Sequence, residues 1–201
     1  MADRKAPYPW LKPGVFVGAL VPLAALVGRA LSGGLGADPI AEALNQLGLV
    51  ALIFLVASLA CTPLKALLGW TWPIRIRREL GLFAFFYAAL HVLTYSGLDQ
   101  SLNLRAIYAD VVKRKFIFVG FAAFVLLVPL ALTSTQESVR RLGFQRWKRL
   151  HRLAYAAGCL AAIHFLWRVK ADLLEPLLYA GALAVFLLVR AVSYARSRRP
   201  A

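Results

Sequence analysis

Six times along its 201 residues the chain runs apolar for about the length that crosses a bilayer, and this limits the fold more than any other feature. A membrane-spanning helix needs about 20 predominantly apolar residues. The runs fall at 14–31, 44–64, 80–98, 116–133, 150–168 and 173–192. Hydrophobic residues make up 61% of the sequence, against roughly 45–50% in a soluble domain, so the surplus must face lipid. Backbone inside a bilayer has to satisfy its own hydrogen bonds, which leaves helices or closed barrels, and runs of this length are helical. The sequence therefore reads as an all-α integral membrane protein. It is a six-transmembrane-helix bundle filling residues 1–201 as one domain, with little chain left for a soluble one.

Charge orients the bundle. The net charge is +15, from 24 Lys and Arg against 9 Asp and Glu. With the amino terminus in the cytoplasm, seventeen of the 24 basic residues fall on the inner side. They run from Arg4, Lys5 and Lys12 through Arg75, Arg77 and Arg78 and the 140–152 cluster to Arg190, Arg196, Arg198 and Arg199. Cytoplasmic loops are enriched in Lys and Arg, so both termini are expected in the cytoplasm. Nucleic acid is a poor explanation for the charge, because it is spread over the loops of a membrane protein. Arg4 and Lys5 ahead of the first run resemble a signal peptide. Pro7, Pro9 and Trp10 make an awkward leader, so the first run is expected to be a retained helix.

The connections are short. Residues 32–39 (SGGLGADP) form an outer loop with Asp38 near the N-cap of the next helix. Its glycines follow no strand and lie in no dinucleotide-binding unit, so they read as a plain loop. Tryptophans and arginines at 69–80 mark an inner headgroup boundary. Residues 98–115 are long enough for a short outer surface helix, and 133–152 form a basic inner loop. Pro22, Pro63 and Pro129 lie in or near spans, where membranes tolerate proline kinks. Cys61 and Cys159 sit in apolar runs without metal-ligand spacing and read as small packing residues. No P-loop, acidic metal cluster or nucleophile elbow is present, so chemistry must come from a bound cofactor or from side chains within the bundle.

The chain has only three histidines, His91, His151 and His164. An ionisable side chain inside a membrane helix is expensive and usually functional. A proton relay, a substrate or ion site, and axial ligation of heme iron all compete as roles. The third and fifth spans both run from inside to outside. His91 lies thirteen residues beyond Arg78, and His164 thirteen residues beyond His151, which belongs to the inner basic cluster. At 1.5 Å per residue both climb about 20 Å, so the two imidazoles reach one depth in the outer half. From opposite faces of a porphyrin they can clamp one iron. Met1 is the only methionine and no CxxCH motif is present, which leaves bis-histidine ligation of a non-covalent, b-type heme.

Ala157 and Ala161 share the face of His164, and Ala154 and Gly158 share that of His151. They leave room for a flat macrocycle, although Ala154, Gly158 and Ala162 equally form a small-xxx-small packing pattern. His151 points about 140° away from His164 around an ideal helix. A second, inner heme, a flavin or quinone site, and an interfacial position all remain open for it. Arg77, Arg78 and Arg152 suit heme propionates or a flavin phosphate, and suit positive-inside topology as well.

The segments RRELGLFAFFYAALH (77–91), LALTST (130–135) and WKRLHRLAY (147–155), followed by His164, resemble the MsrQ (YedZ) family. These are heme-binding membrane subunits of bacterial periplasmic methionine-sulfoxide reductase systems. They group with the ferric-reductase-like transmembrane domains also found in NADPH oxidases. The resemblance covers essentially the whole chain. It implies an electron conduit in the bacterial inner membrane, fed by the quinone pool or a cytoplasmic flavin reductase. Heme b, with FMN as a further family cofactor, would pass electrons to a periplasmic molybdopterin-containing subunit that reduces methionine sulfoxide. By position, the family's heme histidines fall on His91, His151 and His164. The chain departs from the oxidases in lacking one inner histidine on the third span, and it lacks their flavin and NADPH domain, so its reductant is expected to be another molecule. Two competing readings remain. One is a transporter using the histidines as a proton relay, for which Glu79 is the nearest carboxylate. The other is a cofactor-free membrane anchor for a periplasmic partner.

Overall fold

A computed structural model describes residues 8–196 of the protein. Arg4, Lys5, Arg198 and Arg199 of the charge argument lie outside the described residues. The described chain is helical without strands. It forms α1 (Leu11–Leu31), α2 (Pro39–Leu68), α3 (Trp72–Thr94), α4 (Leu104–Lys113), α5 (Lys115–Leu132), α6 (Gln136–Leu142), α7 (Phe144–Leu150), α8 (Leu153–Arg168) and α9 (Leu174–Arg196). A π-helical turn, Tyr95–Asp99, extends α3. Among the described residues α1, α2, α3 with its extension, α5 and α9 are each long and apolar enough to cross a membrane. The chain is a multi-pass membrane protein.

Local sequence sets the ends. Asp38 accepts a hydrogen bond from the Ala41 N–H at 3.0 Å and Pro39 opens α2, so the expected cap is present. Gly69 closes α2 at φ 70°, a left-handed conformation that favours glycine. The surface helix expected in 98–115 is α4, capped by the Asn103 side chain on Ala106 N–H at 3.1 Å. The basic loop at 133–152 folds into α6, capped by Thr135 on Ser138 N–H, and α7.

The fifth apolar run differs from expectation. Its helix starts at Leu153 rather than at residue 150, because α7 ends at His151 in a tightened turn in which the Arg152 N–H donates to the Arg149 carbonyl. The 16 residues of α8 span about 24 Å, less than a hydrocarbon core of about 30 Å.

Two apolar clusters hold the bundle. Leu55, Leu59, Ala84, Leu127, Ala157 and Leu183 join α2, α3, α5, α8 and α9. Ala19, Leu26, Leu47, Phe83 and Tyr87 join α1 to α2 and α3. Small residues do the close packing. A Cβ on Gly158 would lie 3.0 Å from Leu59 Cδ1 and 3.5 Å from Leu183, so the space beside this glycine is filled by α2 and α9. Cys61 is 2% exposed and its thiol donates to the Ala57 carbonyl at 3.3 Å, consistent with a packing role.

A candidate cofactor site between four helices

Matched depth along α3 and α8 becomes proximity in space. The rings of His91 and His164 have centroids 6.2 Å apart, with planes at 81°. Each Nδ1 lies against a backbone carbonyl of a neighbouring helix: His91 against Leu44 O of α2 at 2.9 Å, and His164 against Phe116 O of α5 at 2.7 Å. A carbonyl only accepts, so both Nδ1 atoms carry the proton and both Nε2 atoms keep a lone pair. Metal-ligating histidines characteristically donate the other ring N–H in this way, which fixes the tautomer and raises ligand basicity.

The rings flank a cavity of about 380 Å³. Its walls are kept low by Ala51, Ala84, Ala88, Ala123 and Ala161, contributed by α2, α3, α5 and α8. Polar residues also line it: Asn45, Ser96, Asp99, Arg114 and Arg168. Arg168 donates to the Asn45 side chain, and Arg114 pairs with Asp110 at 3.3 Å.

A bis-imidazole metal site fits this geometry. Imidazole binds a metal at about 2.0–2.1 Å, which puts each ring centre about 3 Å from the ion and two opposed rings about 6 Å apart. No group of three or more His, Cys, Asp or Glu suited to a metal occurs among the described residues. An ion between these rings must therefore take its remaining ligands from a non-protein group, as iron does in a porphyrin.

The other expected site residues lie at the opposite end of the bundle. His151 stacks on Trp147 with ring centroids 4.0 Å apart. Its Nε2 is 3.2 Å from Thr133 Oγ1. That hydroxyl donates to the Pro129 carbonyl at 2.6 Å, so it accepts from His151 and Nε2 carries the proton. Arg77 donates to Thr62 Oγ1 at 3.3 Å, whereas Arg78 and Arg152 are exposed. Arg190, which stands 4.7 Å over the Tyr155 ring, adds a further guanidinium within electrostatic reach of Arg77 and Arg152. Glu79 pairs with Lys12 at 2.9 Å near the start of α3, about three helical turns from His91. Ala161 lines the cavity, while Ala157 and Ala162 are buried in helix packing.

Several participants were not singled out from sequence: the Leu44 and Phe116 carbonyls, the polar residues Asn45, Arg114 and Arg168, and two glycines packed against the imidazoles. A Cβ on Gly48 would lie 3.1 Å from His91 Nδ1, and one on Gly120 only 2.5 Å from His164 Nδ1. Glycines inside apolar runs were the available signal, but their helical partners are visible only in three dimensions.

Comparison with known proteins identifies the family. Residues 44–162 match the family described as ferric reductase like transmembrane component. The protein-methionine-sulfoxide reductase heme-binding subunit MsrQ of Deinococcus radiodurans is 53% identical over 201 residues, covering 100% of this chain and 99% of that protein. The subunit of the same name from Rhodospirillum rubrum is 55% identical over 185 residues, covering 92% and 89%. That from Herminiimonas arsenicoxydans is 47% identical over 182 residues, covering 90% and 84%. With two inward-facing imidazoles between α3 and α8 and these relatives along nearly its full length, the chain belongs to the MsrQ family of ferric-reductase-like transmembrane proteins.

Proposed function

We propose that the protein is a b-type cytochrome subunit of the bacterial inner membrane that passes electrons outward to a periplasmic reductase. The observation that carries this reading is the pair of imidazoles that line one cavity with centroids 6.2 Å apart, each tethered by Nδ1 to a carbonyl. The relatives' name, heme-binding subunit, supports it. In this reading all six apolar runs span the membrane, α8 included, and both termini are cytoplasmic.

Bound heme supplies a one-electron carrier. His91 and His164 would hold it through Nε2, and the Nδ1 tethers keep both rings in the ligating tautomer. The alanine-lined walls are apolar and low enough to admit a flat group. Arg114 and Arg168 at the outer rim offer charge-assisted hydrogen bonds to propionates. One heme per chain is proposed, because His151 already commits its Nε2 proton to Thr133. Arg77, Arg152 and Arg190 gather positive charge at the inner end. With His151 beside them, they suit the phosphate of FMN or the approach of a cytoplasmic flavin reductase. The quinone pool is the other proposed donor. The acceptor is a molybdopterin-containing periplasmic subunit that reduces methionine sulfoxide in oxidised proteins.

The test is the absorbance of the purified protein. Low-spin b-heme bands at one heme per chain are expected, with loss of the heme in His91→Ala and in His164→Ala. A folded, colourless preparation from heme-replete cells overturns the reading in favour of a relay or a cofactor-free anchor.

A further inference from the structure

We propose that Gly48 and Gly120 are positioning residues that, each with the carbonyl one helical turn earlier, form paired seats for the His91 and His164 imidazoles. The inference deepens the heme reading above and rests on it.

The same construction occurs twice. His91 meets the carbonyl of Leu44 and the Cα of Gly48 on α2, and His164 meets the carbonyl of Phe116 and the Cα of Gly120 on α5. In both helices the glycine follows the carbonyl residue by four positions. The reason for that interval is geometric. Helical side chains lean back toward the amino terminus and cover the turn before them. A side chain at position i+4 therefore shields the carbonyl of residue i. Glycine leaves that oxygen open to a second donor besides its own helical N–H.

Clearance confirms the fit. A Cβ at Gly48 would sit 3.1 Å from His91 Nδ1 and 3.2 Å from Cε1. At Gly120 it would sit 2.5 Å from His164 Nδ1, 2.7 Å from Cε1 and 3.0 Å from Cγ. Glycines elsewhere in the bundle, such as Gly28 in α1 and Gly181 in α9, have nothing within 4 Å of such an atom. Among the described glycines only Gly48 and Gly120 approach an imidazole in this way, and the other tight position, Gly158, meets leucine side chains instead. The two seats are unequal: alanine at 48 asks His91 to give by a few tenths of an ångström, whereas alanine at 120 forces a larger shift at His164.

Each seat acts on the iron through its histidine. Donation from Nδ1–H to a carbonyl makes Nε2 a stronger donor, which favours ferric over ferrous iron. Loosening that hydrogen bond moves the midpoint potential positive.

The experiment uses the full-length protein purified with heme, and compares Gly48→Ala, Gly120→Ala and the control Gly181→Ala. Gly48→Ala is expected to keep one heme per chain with a more positive midpoint potential and altered low-spin electron paramagnetic resonance g-values. Gly120→Ala is expected to shift further or to lose heme, and Gly181→Ala to match the wild type. If Gly120→Ala does not fold, Gly48→Ala decides. Wild-type potential and spectrum in Gly48→Ala, or an equal shift in Gly181→Ala, overturns the proposal. Nitrogen-15 histidine spectra of the heme-free chain separate this failure from failure of the heme reading. His91 and His164 are expected as Nδ1–H tautomers in the wild type, with His91 losing that preference in Gly48→Ala. Seats that form in a chain that binds no heme would overturn the heme reading and the role of the seats in it, while leaving the hydrogen-bond geometry intact.

Discussion

Tyr87 repairs a helix that proline disturbs. Pro22 stands inside α1, and a proline removes one backbone donor and crowds the preceding turn. Beside it, the Tyr87 hydroxyl donates to the Ala19 carbonyl at 2.5 Å and accepts from the Leu23 N–H at 3.2 Å. Those two groups are ordinary i to i+4 partners, so one buried hydroxyl bridges a pair that faces apolar surroundings. Tyr87→Phe leaves both without it, and unfolding in detergent micelles is expected to show a loss of about 1–3 kcal/mol. His151 is the contrasting residue. With its Nε2 proton held by Thr133 and its ring on Trp147, His151→Ala is expected to retain the full heme content and low-spin bands. A halved heme content in that variant would place an iron there. The depth of His91 and His164 was legible from helical rise alone, since both count from basic residues at one boundary. The glycine seats were not, because sequence does not say which carbonyl of which neighbour an imidazole meets.

At the scale of elements, the apolar runs located the long helices, and the caps at Asp38 and the short helix α4 followed from residue chemistry. The division of the fifth run was less visible. Residues 144–152 mix aromatic and basic side chains without a breaker, and their turn at His151–Arg152 reflects the docking of α7 rather than local propensity: the Trp147 indole donates to the Thr133 carbonyl at 2.9 Å and pins α7 to the end of α5. Packing of α8 depends on Gly158. Its missing side chain admits Leu59 from α2 and Leu183 from α9. Gly158→Ile is expected to wedge these helices apart and to destabilise the bundle by about 1–3 kcal/mol, read as a lower unfolding temperature. A smaller effect on the spectrum of any heme still bound is expected than in the glycine-seat variants, because Gly158 is not among the residues lining the cavity.

For the whole molecule, the candidate site is off-centre. His164 stands four residues before the end of α8 at Arg168, about 6 Å along the axis, whereas the inner guanidiniums lie roughly 20 Å away. In the proposed orientation, an electron entering from a cytoplasmic flavin would cross most of the insulating layer before reaching the imidazoles. A hydroquinone oxidised in the outer leaflet would cross almost none. A charge traversing the full thickness exchanges about 2.3 kcal/mol with each 100 mV of membrane voltage. Reduction from inside is therefore electrogenic, accelerated by an inside-negative potential and slowed when an ionophore collapses it. In proteoliposomes under an imposed potassium diffusion potential, voltage-dependent reduction identifies a donor at the inner face, and indifference to voltage identifies one in the outer leaflet.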